Sequence, residues 1–145
     1  MLDWRRGTGV VVALMGLTGC FSGNATSPTE ETPAVSLVGP TWRVTSIGGQ
    51  PVLSGTTITA EFSTDDRVAG TAGCNRYFGS AKVDAGRIAM GPFGATLMAC
   101  SPDSVMTQEA RYLAALDAAT SYRVSGDELR LGLSATDTTL VFTSR

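Results

Sequence analysis

The sequence predicts a mainly β domain of the α+β kind: a small antiparallel sheet, strongly bent or closed into a barrel, with one packed helix. Three observations predict it. Short segments alternate apolar and polar residues with the period of a half-buried strand, as Ile58, Ala60 and Phe62 do against Thr59 and Glu61. Gly-Gly, Asp-Asp, Asp-Ala-Gly and Ser-Gly-Asp clusters punctuate those segments as turns do. A helical apolar spacing occurs clearly in one place, residues 101–119. A chain of 145 residues with 43% apolar content suffices for one such core.

The elements follow in order. Trp42, Val44 and Ile47 mark a first strand that ends at Gly48-Gly49, with Trp42 as a core anchor because an indole brings a large apolar surface to a small domain. Residues 58–62 form the next strand, and Thr64-Asp65-Asp66 a turn whose adjacent carboxylates read as solvated rather than as a metal or acid–base pair. Residues 68–74 are rich in small side chains, as where backbones approach closely or a bulge bends a strand. Residues 80–83 form a short strand, Asp84-Ala85-Gly86 a turn, and residues 87–90 a strand stopped by Gly91-Pro92. Ser101-Pro102 then reads as an N-cap with proline in the first helical position, and Asp103 sits favourably near the helix start. Met106, Ala110, Leu113 and Leu116 form the core-facing stripe, broadened by Val105 and Tyr112, with Gln108 and Glu109 at its edge. Residues 122–131 form a hairpin about Ser125-Gly126-Asp127, and residues 139–143 a last strand with Leu140 and Phe142 on one face.

Composition excludes several functions. A net charge of −2 and the absence of any lysine or arginine run leave no field to attract a phosphate backbone, so no nucleic-acid partner is expected. Histidine is absent, which removes Ser-His-Asp and Cys-His nucleophilic machinery and the commonest transition-metal ligand. No catalytic residue, metal site or cofactor is therefore expected.

The N-terminus reads as an export leader. Arg5-Arg6 precede an apolar run over residues 10–17, too short for the ~20 residues of a membrane span. Leu17-Thr18-Gly19-Cys20 resembles the bacterial lipobox, whose cysteine receives a diacylglyceryl group and becomes the first mature residue. Residues 1–19 are thus expected to be a lipoprotein signal peptide, and Cys20 a lipidation site carrying acyl chains such as palmitate. Residues 20–34 would be the lipidated cysteine and a flexible polar tether, followed by one domain over residues 35–145. Two buried acyl chains suffice for stable anchoring where one is marginal. The expected location is the bacterial cell envelope, on a membrane and facing the periplasm or exterior; Phe21 after Cys20 points to the outer membrane of a two-membrane cell.

With Cys20 assigned to lipid, Cys74 and Cys100 remain, and an exported chain favours their pairing over two buried free thiols. Closing that loop stabilises the fold by about 3.6 kcal/mol in the chain-entropy model.

Residues 37–49 (LVGPTWRVTSIGG), Gly73-Cys74-Asn75-Arg76-Tyr77-Phe78-Gly79, Gly91-Pro92 with Thr96 and Met98-Ala99-Cys100, and the 109–116 helix face together resemble the META domain, also called HslJ-like. The resemblance implies a compact barrel-like fold with one helix, in envelope lipoproteins linked broadly to stress, and it implies no enzymatic activity. The expected function is a membrane-tethered stress-response or envelope-integrity module that binds an envelope protein or lipid. Asn75 and Arg76 are the candidate interaction residues, the structural alternatives being a left-handed turn at Asn75 and an ion pair at Arg76. Two other functions fit the same features: a pilotin-like carrier of a hydrophobic ligand inside the barrel, and an inhibitor of a cell-wall-degrading enzyme presenting a protruding loop.

Overall fold

A computed structural model describes residues 36–134 and 136–145. The leader, Cys20 and the tether lie outside the described residues.

The strands are β1 (Thr41–Ile47), β2 (Gln50–Pro51), β3 (Thr59–Ser63), β4 (Arg67–Thr71), β5 (Arg76–Asp84) and β6 (Arg87–Ala95), then helix α1 (Asp103–Ala118), then β7 (Ser121–Ser125), β8 (Glu128–Gly132) and β9 (Leu140–Thr143). All pairings between strands are antiparallel, and β1 pairs with both β3 and β9, so the sheet closes on itself. The result is a barrel of eight strands with β2 as a short appendage on β1. Closure leaves no long exposed edge among the described strands.

The alternation predicted from sequence places the core inside. Trp42, Ile58, Tyr77, Leu129, Leu131, Leu140 and Phe142 are fully buried, and Tyr112 and Leu116 from the helix join them. Trp42 also satisfies its polar edge, donating from Nε1 to the Leu37 carbonyl at 2.9 Å. The barrel interior is filled by side chains.

Three local expectations change. The strand beginning at Arg87 does not stop at Gly91-Pro92 but runs to Ala95. Proline is tolerated there because the register against β5 shifts between Gly79 and Ala81, and a bulge asks for no ladder N–H from Pro92. The strand expected at residues 80–83 is the second half of β5, which begins at Arg76. The helix starts one residue later than expected, with Pro102 in the N-cap position and no side-chain cap hydrogen bond, so Ser101 does not cap it.

The helix face is also rotated. Its buried residues are Val105, Gln108, Glu109, Tyr112 and Leu116, while Met106 and Leu113 are half-buried and Ala110 is exposed. Gln108 and Glu109 therefore lie on the buried face rather than at its edge. They belong there because the loops beside the helix present backbone N–H groups that need acceptors.

Candidate functional site

The most distinctive block of the sequence folds around Glu109. Gly73 takes a φ of +110°, which turns the chain after β4 so that successive amides face the helix. The Glu109 carboxylate accepts the Cys74 N–H at 3.0 Å and the Asn75 N–H at 2.7 Å on Oε2. Its Oε1 accepts the Asn75 side-chain amide at 2.6 Å. Gln108, one residue earlier, holds the loop between β2 and β3 in the same manner: its Oε1 accepts the Leu53 N–H at 2.7 Å and its Nε2 donates to Thr56 Oγ1 at 3.0 Å.

Asn75 is 3% exposed and passes the connection on to the segment after β6. Its Oδ1 accepts the Met98 N–H at 2.7 Å and the Thr96 hydroxyl at 2.9 Å, while Nδ2 donates to the Met98 carbonyl at 3.0 Å. Thr96 Oγ1 in turn accepts the Arg76 N–H at 3.1 Å. The Cys74–Cys100 disulfide, with Cα atoms 5.9 Å apart, ties the far end of that segment to the same turn. Helix, turn and segment 96–100 thus form one clasp, in which the hydrogen bonds of a carboxylate act at the stronger, charge-assisted level.

The two candidate interaction residues separate in role. Asn75 is consumed by the clasp, and the positive φ expected for it belongs to Gly73 instead. Arg76 is exposed, and among the described residues its guanidinium forms no ion pair. Sequence reasoning missed Glu109 as the hub. An acidic residue on an otherwise apolar helix face, paired with a Gly-Cys-Asn turn, was the available signal.

What the clasp displays is apolar. Leu97 is 98% exposed, and Met98 and Phe78 are more than half exposed. A surface groove of about 350 Å³ runs between this segment and the helix, lined in part by Met98, Met106, Ala110 and Leu113. Behind the clasp, Tyr77 and Tyr112 share a 2.7 Å hydroxyl–hydroxyl hydrogen bond, and Tyr77 also donates to the Thr59 carbonyl at 2.9 Å. Burial pushes the ionisation of both phenols well above the usual tyrosine range. Asp65 and Asp66 are exposed, as expected, and the Ser63 hydroxyl holds the Asp65 carboxyl below its usual value. Among the described residues, no group of His, Cys, Asp and Glu is placed to hold a metal ion, and no helix is long and apolar enough to cross a membrane.

The model of the META domain family matches residues 35–145. Among solved structures, one determined by NMR superposes with a TM-score of 0.58 at 20% identity, covering 72% of this chain and 88% of that one. A second NMR structure, of a protein from Burkholderia xenovorans, superposes with a TM-score of 0.57 at 29% identity, covering 75% of this chain and 83% of that one. No curated protein matches the chain.

Proposed function

The chain belongs to the META domain family, and we propose that its domain serves as a non-catalytic, membrane-anchored binding module of the bacterial cell envelope, acting in envelope integrity or stress response. The observation that carries this reading is the clasp. The buried polar groups of the most distinctive block, Asn75 and Glu109, are spent on holding segment 96–100 in place, and what they hold out to solvent is Leu97, Met98 and the Arg76 cation. A domain that invests a buried carboxylate in fixing an exposed apolar segment is organised for display.

The lipobox-like Leu17-Thr18-Gly19-Cys20 and the polar tether supply the anchoring half of the proposal. The filled interior, with Trp42, Tyr77, Tyr112 and Phe142 fully buried, weighs against carriage of an acyl chain inside the barrel. The exposure of Leu97 favours a second reading, inhibition of a cell-wall-degrading enzyme, which calls for a protruding loop. Crosslinking in the intact envelope through a photoreactive residue at position 97 tests the binding module. Specific adducts that disappear with Arg76→Glu support it, and the same adducts from position 97 and from a remote position such as Leu133 would overturn it. Capture of a wall hydrolase, with inhibition in vitro, would select the second reading.

A further inference from the structure

The second half of β6 has a partner strand on one side only. Its pairing with β7 is confined to Arg87 and Ser121, flanked by bonds from the Ile88 N–H to the Thr120 carbonyl at 3.0 Å and from the Tyr122 N–H to the Gly86 carbonyl at 2.9 Å. Beyond Ile88 no β7 residue lies opposite, because the chain before Ser121 is α1. The phase of the ladder decides which backbone groups are left over. The Asn75 carbonyl accepts from the Ala72 N–H, and the Asp66 carbonyl from the Ala81 N–H, both at 2.8 Å, so by alternation Tyr77 and Gly79 spend their main-chain groups on β4. Their partners in β6, Ala95 and Phe93, thus form non-hydrogen-bonded pairs with β5, while the Thr96 N–H donates to the Arg76 carbonyl at 3.0 Å. The N–H and C=O of Phe93 and Ala95 point away from β5. Neither these groups nor those of Leu97 meet a backbone partner among the described residues.

This bare stretch forms one wall of the groove of about 350 Å³, and the helix forms the other through Met106, Ala110 and Leu113. Ala95 and Leu97 are exposed there. From Phe93 to Leu97 is about 13 Å at the rise of a strand, room for a short extended segment. The charged side chain lining the groove is Glu109, whose carboxylate already accepts from Cys74 and Asn75. Charge complementarity therefore calls for an uncharged, apolar occupant. A lipid chain or a helix would fill the groove and leave its backbone donors and acceptors unmet; an extended peptide supplies partners for both at the same two-residue spacing. The chain's own residues 20–34 do not suit, since Pro28, Pro33 and Glu30-Glu31 interrupt them and they contain no alternating apolar run.

We propose that the groove between β6 and α1 takes an extended apolar segment of a partner protein by strand addition. The segment's backbone pairs with Phe93, Ala95 and Leu97, and its alternate side chains lie against Met106, Ala110 and Leu113. The inference rests on the binding-module reading above and names the chemistry of the partner. It also gives the clasp a purpose: Asn75 and Glu109 hold segment 96–100 at a fixed distance from the helix, so the groove stands open before the partner arrives.

The test pans a library of random peptides of about seven residues against the full chain and resynthesises those enriched. Peptides of alternating apolar pattern are expected. Methylating the amide nitrogens on one side of such a peptide should weaken binding about tenfold or more, while methylating those on the other side leaves it unchanged. Hydrogen exchange reads the protein's side: the amides of Phe93, Ala95 and Leu97 exchange fast in the free chain and slow down in the complex. Ala95→Pro, which removes an unpaired edge donor, and Ala110→Asp, which puts a charge at an exposed groove position, each weaken binding by a similar factor, with thermal denaturation confirming an intact barrel. Failure to enrich any peptide, equal effects of the two methylation patterns, or edge amides already protected in the free chain would overturn the proposal. Protection of the same amides that grows with protein concentration alone would replace the peptide by a second copy and overturn it too. Envelope crosslinks from position 97 without strand pairing defeat this inference and leave the binding module standing; loss of both defeats both.

Discussion

Replacing Glu109 with glutamine is the sharpest perturbation of the clasp, since it conserves shape and removes an acceptor. The carboxylate accepts the Cys74 and Asn75 backbone N–H groups at 3.0 and 2.7 Å on one oxygen and the Asn75 amide at 2.6 Å on the other. A glutamine can keep its oxygen toward the two backbone donors, but its own NH₂ then faces the Asn75 NH₂. Asn75 cannot turn over to relieve the clash, because its Oδ1 accepts from Met98 N–H and Thr96 and its Nδ2 donates to the Met98 carbonyl. One charge-assisted bond is lost, the remaining two weaken, and a donor is left unpaired in a site that is 6% exposed at Glu109, for a cost of about 2–4 kcal/mol. For a domain of this size that corresponds to a fall in Tm of about 10–20 °C. Urea denaturation followed by tryptophan fluorescence measures it, with Trp42 fully buried in the native state. A double-mutant cycle with Asn75→Ala isolates the pair, and a coupling of about 1–3 kcal/mol is expected. A Glu109→Gln loss below about 0.5 kcal/mol, or strict additivity with Asn75→Ala, would refute the clasp as an energetic unit.

Other predictions follow from the same geometry. Cys74→Ser with Cys100→Ser lowers stability by about 2–4 kcal/mol, and a thiol count on the denatured, unreduced domain finds no thiol at either position; free thiols there contradict the pairing. Gly70→Ala drives a Cβ to 2.0 Å from the Thr59 carbonyl oxygen and costs about 1–3 kcal/mol or more, whereas Gly55→Ala, at a φ of +82° with nothing near, costs only about 1 kcal/mol of backbone strain; equal midpoints in urea would contradict this. Stability is also expected to fall at alkaline pH. Tyr77 and Tyr112 ionise in the unfolded chain near about pH 10 and only well above that when buried, so their stabilising effect is complete below about pH 10 and is lost as pH rises beyond it, by up to about 1.4 kcal/mol per pH unit per tyrosine. Tyr112→Phe removes one of the two phenols, and its urea midpoint must fall less steeply with alkaline pH; an unchanged slope would contradict the burial argument.

Much of the barrel was legible because its signal is local. Ile58, Ala60 and Phe62 alternate inward as the pattern requires, and Leu140 and Phe142 do the same in β9. Gly126, with a φ of +58°, makes the turn of the β7–β8 hairpin that Ser-Gly-Asp announced. What was not legible depends on partners far away in sequence. Closure through β1 and β9 joins residues such as Val44 and Phe142, and no local period encodes that choice. The continuation of β6 through Pro92 depends on its register against β5, where Gly91 and Pro92 bulge opposite the single residue Ser80. The helix face was misjudged for the same reason: Glu109 looks like a poor core residue until its three donors, on residues 34 and 35 positions earlier, are in place. Asn75 is the converse case, a polar residue in a distinctive turn that invites a binding role and is in fact enclosed. Arg76, its neighbour, is exposed and forms no ion pair among the described residues.

The most direct test of the clasp is hydrogen exchange at the Met98 amide. That N–H lies in a segment with no strand or helix, beside a side chain 98% exposed at Leu97, yet it donates to the buried Asn75 Oδ1 at 2.7 Å. Slow exchange in the intact protein is expected, lost in Asn75→Ala while the amides of β8 and β9 keep their protection. Exchange at Met98 as fast as in an open loop, or protection unmoved by Asn75→Ala, would contradict a clasp that holds the Leu97 segment for display.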